Sequence, residues 1–261
     1  MNIAEKERVL HEITEKLSGF QSISLKEMGE AHLMSRFDCK YVFHISHLPG
    51  FLSMLQHDYS ILVIDNLPIF GYENLYFDSA PLKSYYDHHN SRARRYKVRF
   101  RKYSDTNRCF FEVKVKSNKG LTEKARQVSD GFRRELNADD LSFLKEHLGD
   151  NVDPLFPQIT NVFKRITMVN NEVRERVTID FLIHFKNGVS EKSLEQIVIA
   201  EVKQENPVYH SAFKQLMLHS RIFPTSISKY CIGTVLTHPG IKYNNFKPKL
   251  IILNKICNGV A

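Results

Sequence analysis

Residues 95–103, RYKVRFRKY, carry a cation at four alternate positions. In an extended strand alternate side chains share a face. Arg95, Lys97, Arg99 and Arg101 then line one side with the hydroxyl of Tyr103, and Tyr96, Val98 and Phe100 line the other. Successive charges on that side stand only about 7 Å apart. They repel, so the arrangement calls for an anion or for bulk water to screen it. The planar fork of a guanidinium binds phosphate oxygens in pairs, which makes phosphate a fitting partner.

The same parity recurs along the chain. In FFEVKVKS (110–117), Glu112, Lys114 and Lys116 oppose Phe111, Val113 and Val115. In EVRERVTID (172–180), Glu172, Arg174, Arg176, Thr178 and Asp180 share a face, as do Glu201, Lys203 and Glu205 in IVIAEVKQE (197–205). In RFDCKYV (36–42), Arg36, Asp38 and Lys40 fall together, and Arg165 stands with Phe163 and Thr167. One reading is an antiparallel sheet with a solvated polar face. Yet exposed strand faces usually mix Thr, Ser, Lys and Glu, and adjacent like charges are costly without a counter-charge. The other reading is a barrel with polar faces inward and apolar faces under helices, enclosing space for one small ligand. A lining of Arg and Lys would make it a trap for a polyanion.

The elements that would position these residues form a β-dominated α+β chain. Strands are expected near 36–45, 59–65, 69–78, 93–103, 108–117, 159–170, 172–183, 196–205 and 229–236, rich in Val, Ile, Phe and Tyr. Helices are expected at 2–18, 46–57, 80–88, 138–148 and 208–221. Short polar turns such as Ser104-Asp105-Thr106-Asn107 imply antiparallel pairing. With 261 residues, 42% of them hydrophobic, and no repeat or Gly/Ser linker, one domain is the expectation. Residues 1–29 form a helical segment before it and 237–261 a tail packed on it.

No apolar stretch approaches the roughly 20 residues that span a bilayer, and the N-terminus lacks the apolar core of a secretion signal. Membrane insertion by this chain is not expected. Cys39, Cys109, Cys231 and Cys257 form no CxxC pair, so neither a zinc site nor a disulfide framework is indicated, and a reduced, cytoplasmic setting follows. The twelve histidines show no metal-ligand spacing. A net charge of +8 suits nucleic acid, anionic membrane or small phosphates alike.

The strings SRFDCKYVF, ENLYFDSAPLKSYYDHHNSRARRYKVRFRKY, FFEVKVK, VFKRITMV, VRERVTIDF and IVIAEVKQE, in that order, resemble the VTC (vacuolar transporter chaperone) polyphosphate polymerase domain. That domain belongs to the triphosphate tunnel metalloenzymes, which include the CYTH phosphatases. The resemblance spans roughly 30–236 and implies an antiparallel β-barrel tunnel with helices outside. It further implies that Lys40, Arg99, Arg101, Lys114, Arg165 and Arg176 bind the triphosphate or phosphate chain. Glu201 matches the metal-binding acid, with Glu112 as a second. Lys97, Arg174 and Lys203 face the same way by parity, and Lys124, Ser228 and Lys229 match later positions. The implied cofactor is Mn²⁺ or Mg²⁺, and the implied partners are ATP, triphosphate and polyphosphate.

Such a metal needs only one or two carboxylates when phosphates supply the other ligands. Polymerisation requires no general base, because the attacking terminal phosphate is already anionic and needs only alignment. Hydrolysis, the alternative within the class, would need a water activated by Glu112 or Glu201. A non-catalytic polyphosphate-binding module is another. Nucleic acid is not expected, because Tyr96 and Phe100 oppose the arginines whereas base-stacking sheets place aromatics beside them.

Overall fold

Eleven strands and eight helices form among the described residues of the computed structural model, which are 1–30, 37–118, 121–206 and 210–259. The strands are β1 (Gln21–Ile23), β2 (Phe37–His44), β3 (Ser60–Leu62), β4 (Phe70–Ser79), β5 (Arg95–Tyr103), β6 (Cys109–Lys116), β7 (Thr122–Ser129), β8 (Leu155–Asn170), β9 (Glu175–Lys186), β10 (Glu191–Leu194) and β11 (Ile197–Gln204). The helices are α1 (Ile3–Leu17), α2 (Leu25–Glu30), α3 (Leu48–Leu55), α4 (Lys83–His89), α5 (Ala138–Leu148), α6 (Ala212–His219), α7 (Lys229–Thr237) and α8 (Lys247–Cys257).

One sheet runs β2-β11-β9-β8-β4-β5-β6-β7, every neighbour antiparallel. A short β1–β3 pair joins it on β8, and β10 folds back on β9. The ring expected of a barrel is not closed: among the described residues β2 and β7 are the two edges. Thr122, Glu123, Lys124 and Arg126 are exposed along β7, and charged edge strands resist further pairing. The sheet is nevertheless strongly curled. Laid flat, β2 and β6 would be six spacings apart, about 29 Å, yet Lys40 and Asp38 on β2 act electrostatically on Lys114 of β6.

Apolar parity decides what covers each face. Val9, Ile13 and Leu17 form the buried stripe of α1 and pack with α3 and α6 against Ile166, Met168, Val177 and Ile179. Farther along the outer face, Leu75, Phe77, Val98, Phe100, Phe111 and Val113 pack under Leu144 of α5. A capping box between Asn137 and Asp140 starts α5, satisfying amides that would otherwise lack partners.

The concave face is divided. A register shift between Val162 and Lys164, opposite a left-handed Leu182, turns Ile183 and Phe185 inward beyond Asp180, as bulges do. These side chains meet α7 and α8 in a cluster with Val42, Tyr76, Phe163 and Ile199. At Gly233 of α7 a Cβ would lie 2.4 Å from Phe185 Cδ1 and 2.6 Å from Ile159 Cδ1, so only glycine permits this approach. Part of the concavity is therefore filled by helix, and the charged residues occupy the remainder.

Segment 229–236, expected to be extended, is this helix. Ser228 caps it by accepting the Cys231 amide (3.3 Å). Its Ile, Val and Thr residues lowered its helical signal, and burial on most sides erased the periodicity. The helix expected at 208–221 is α6 over Ala212–His219, with 207–209 outside the described residues. Strand β9 begins at Glu175, so Glu172 and Arg174 belong to the preceding turn. Strand β7 and helix α8 were not anticipated at all.

Candidate anion site

Three carboxylates, two buried and one partly exposed, organise the cations of the concave face. Glu112 on β6, 2% exposed, is the first. Arg99 donates to it through Nε (2.8 Å) and Nη2 (2.6 Å), Lys124 of β7 pairs with its other oxygen, and Arg101 Nε lies 3.8 Å away. Burial alone would raise the Glu112 carboxyl, but Arg99, Arg101 and Lys124 hold it well below the usual range. The neighbouring strand completes the frame: Asn74 Oδ1 accepts Arg101 Nε (2.9 Å) and the Tyr76 hydroxyl accepts Arg99 Nη1 (3.1 Å).

Asp180 on β9 is the second. It receives Arg165 as a two-pronged fork, Nε–Oδ1 2.5 Å and Nη2–Oδ2 2.7 Å, and also Lys229 from the first turn of α7. Arg165 and Lys229 further lie over the Phe163 ring, at 5.3 and 4.4 Å. Burial opposes ionisation of Asp180, but these two cations lower its carboxyl below the ordinary value. The third is Glu201 on β11, paired with Lys203 (2.6 Å) and Lys40 (3.1 Å), while Lys203 also reaches Asp38 (3.5 Å). Arg165 acts on Glu201 as well, so the second and third clusters are contiguous.

Burial pushes Arg101 and Lys97 below their ordinary values, and neighbouring cations add to the shift. Lys114 is accessible to water, yet the surrounding protein lowers it to about 8, as it does Lys124. Burial by itself would raise the Tyr76 phenol, but Arg99, Arg101 and Lys229 draw it below its usual value. Charge thus converges on a polar space that is largely withdrawn from bulk water, where electrostatic contacts are strong.

Most residues singled out in the sequence come together here: Lys40, Lys97, Arg99, Arg101, Glu112, Lys114, Lys124, Arg165, Glu201, Lys203 and Lys229. Arg176 lies on the same face, opposite Lys203 in the β9–β11 register. Arg174 does not join them. It sits in a turn at φ 46°, is 66% exposed and pairs with Glu205 at the surface. Ser228 is a helix cap whose hydroxyl also accepts Lys97 Nζ (2.8 Å). Arg36 is outside the described residues. Asn74, Tyr76 and the bracing role of Asp180 were missed, although the alternation Tyr72, Asn74, Tyr76, Asp78 in β4 carried the signal.

Among the described residues no three His, Cys, Asp or Glu cluster as a ready-made metal cage. Glu112 is enclosed by its three cations. Glu201 keeps 20% of its side chain exposed. It therefore fits a divalent ion as a single carboxylate, provided that phosphates supply the other oxygens.

A concave sheet lined by carboxylate-braced cations is chemically suited to a multiply charged anion. The VTC domain profile matches residues 35–238, and the chain belongs to the VTC domain family. No curated protein sequence gives a significant match. Among solved structures, a candidate adenylate cyclase of Bacillus halodurans is similar at 13% identity, covering 75% of this chain and 96% of that one, with a TM-score of 0.48. A Hippeastrum candidate adenylyl cyclase with a dominant triphosphatase activity is 13% identical, covering 80% and 100%, with a TM-score of 0.43. A Pyrococcus horikoshii protein is 10% identical over 77% and 98%, with a TM-score of 0.41.

Proposed function

We propose that this chain is a metal-dependent polyphosphate polymerase, transferring the γ-phosphoryl group of ATP to a polyphosphate chain held on the concave face. The observation that carries this reading is the surplus of inward cations over the three carboxylates that brace them. Arg99, Arg101, Arg165, Lys40, Lys203 and Lys229 are fixed in place before any anion arrives. Preorganised charge of this kind stabilises phosphoryl transfer without reorganisation in the transition state.

In the step, a terminal phosphate oxygen of the chain forms a bond to the γ-phosphorus. The bond from that phosphorus to the β,γ-bridging oxygen breaks, and ADP leaves with the electron pair. Arg99 and Arg101 would orient the transferred group, with Glu112 and Asn74 fixing their forks. Arg165 and Lys229, held by Asp180, would face the charge that develops on the leaving group. A divalent ion held by Glu201 and phosphate oxygens would supply charge neutralisation. Arg176 and Lys114 would extend the anion-binding surface. Phe100, buried on the outer face, is unavailable for base stacking, which supports a phosphate ligand over nucleic acid.

The test is incubation with ATP and Mn²⁺, followed by gel detection of polyphosphate and assay of free phosphate. Polymer formation supports the reading, whereas phosphate release without polymer replaces it with a hydrolase. In Glu201→Gln, turnover with Mn²⁺ is expected to vanish while metal-free tripolyphosphate binding persists or strengthens. Full turnover in that variant would remove the metal assignment.

A further inference from the structure

Along β5 and β6 two like-charge pairs stand directly opposite each other on the inner face: Lys97 with Lys114, and Arg95 with Lys116. Cross-strand like charges destabilise a sheet. At the centre every cation cluster has its carboxylate. At this rim, among the described residues, Arg95, Lys97, Lys116 and Lys249 form no ion pair, in contrast to Arg99, Arg165 and Lys40 nearby.

Lys249 arrives from α8, beyond the family match at 35–238. Phe246, at the start of α8, fixes the approach by packing 5.8 Å from His88 and 5.6 Å from Tyr85 of α4. Lys249 Nζ lies 5.5 Å from the centre of that same ring. His88 Nδ1 is buried without a hydrogen-bond partner. Burial, then Lys97, Arg95, Lys249 and Lys116 in turn, depress its imidazole to about 3. All four cations therefore act on one neutral group, and none of the four has a carboxylate as ion-pair partner among the described residues.

We propose that the rim where β5 and β6 meet α4 and α8 is a second anion subsite, continuous with the centre. It takes the distal phosphoryl groups of a linear polyphosphate. The assignment rests on the polyphosphate reading above. Length gives it content: Arg101 and Arg95 are six residues apart on one strand, about 20 Å. Three linked phosphoryl groups cannot cover both ends, and a longer chain can. The rim would thus distinguish a polymer from a triphosphate.

The experiment measures metal-free binding of tripolyphosphate and of a long-chain polyphosphate to the wild type and to a Lys116→Gln/Lys249→Gln double variant. Melting temperature checks that the fold is kept, and Lys249→Gln alone serves if the double variant is less stable. Expected is a loss of roughly tenfold or more in long-chain affinity, with tripolyphosphate affinity unchanged, since each charge-assisted contact is worth at least that much. Equal weakening of both ligands, or no change in either, overturns the subsite while leaving the central site standing. Failure of the wild type to bind tripolyphosphate would defeat the functional reading itself, and the subsite with it.

Discussion

Arg99 and Arg101 share β5 with Arg95 and Lys97, four cations on the same face, yet the two halves of the strand differ in electrostatic state. The upper pair is braced by Glu112, Asn74 and Tyr76. The lower pair looks across at Lys114 and Lys116; Lys97 donates to the Ser228 hydroxyl and Arg95 to the Arg92 carbonyl, and neither forms an ion pair among the described residues. A braced guanidinium is aimed, and its charge is partly spent on the brace. An unbraced one keeps its full attraction for an incoming anion but destabilises the empty protein. The first arrangement suits a place where atoms must be aligned, and the second a place where a polymer must only be held.

The contrast breaks most forcefully at the brace. Glu112→Gln leaves Arg99, Arg101 and Lys124 without their shared carboxylate, and losing one partner of a buried ion cluster typically costs about 3–5 kcal/mol. Chemical denaturation should show that loss, with tripolyphosphate restoring much of it by binding the folded state. A loss below about 1 kcal/mol would mean that the cluster is hydrated rather than buried. Next in size is Arg101→Ala, which should weaken tripolyphosphate binding by roughly ten- to a hundredfold. Calorimetry showing unchanged affinity in the folded variant would remove Arg101 from the central site.

Smaller effects are expected where charge is unbraced. Lys114→Met removes half of a like-charge pair, so it should stabilise the ligand-free protein by up to about 1 kcal/mol while weakening polyanion binding. Its pH dependence has a definite sign. Lys114 and Lys124 titrate at about 8 in the folded protein instead of 10.5. Between those values the folded chain releases protons that the unfolded chain keeps, so their contribution makes stability rise with pH across that window. Tripolyphosphate affinity should fall through the same window. Lys114→Met should flatten both slopes, and a wild-type affinity constant from pH 7 to 9.5 would count against either lysine facing the anion. The smallest effect belongs to Arg174→Ala. Its exposed pair with Glu205 is worth within about 0.5 kcal/mol, and phosphate binding should not change. A clear loss of binding would return Arg174 to the site.

Much of this was legible from period-two alternation. The strands of the central sheet, β7 excepted, and the burial of Val98 and Phe100 follow from parity. Parity also puts Lys40, Arg99, Arg101, Lys114 and Glu201 on the charged face of their strands, while the resemblance implied that these residues and Arg165 share one site. What parity could not show is closure, because a sheet's curl and its edges are collective properties that no single strand encodes. Nor could it show α7, where burial on most sides leaves no amphipathic pattern to read. Arg174 failed for a local reason: the four-residue turn 171–174 breaks the alternation before β9 begins at Glu175. Glu112 was legible as a carboxylate among cations, but only the pairing of β6 with β5 and β7, which brings Arg99 and Lys124 to it from either side, reveals a brace.

The unpaired edges of β2 and β7 have a topological consequence. Among the described residues the charged concavity is a trough with a lengthwise seam rather than a sealed pipe. A pipe can be loaded only by threading one end of a polymer, so blocking both ends of the polymer would abolish entry. A seamed trough can accept a chain laid in sideways. Polyphosphate with both termini esterified is therefore expected to bind nearly as well as the free-ended polymer, although it could not be extended. Complete loss of its binding would mean that the two edges meet in solution.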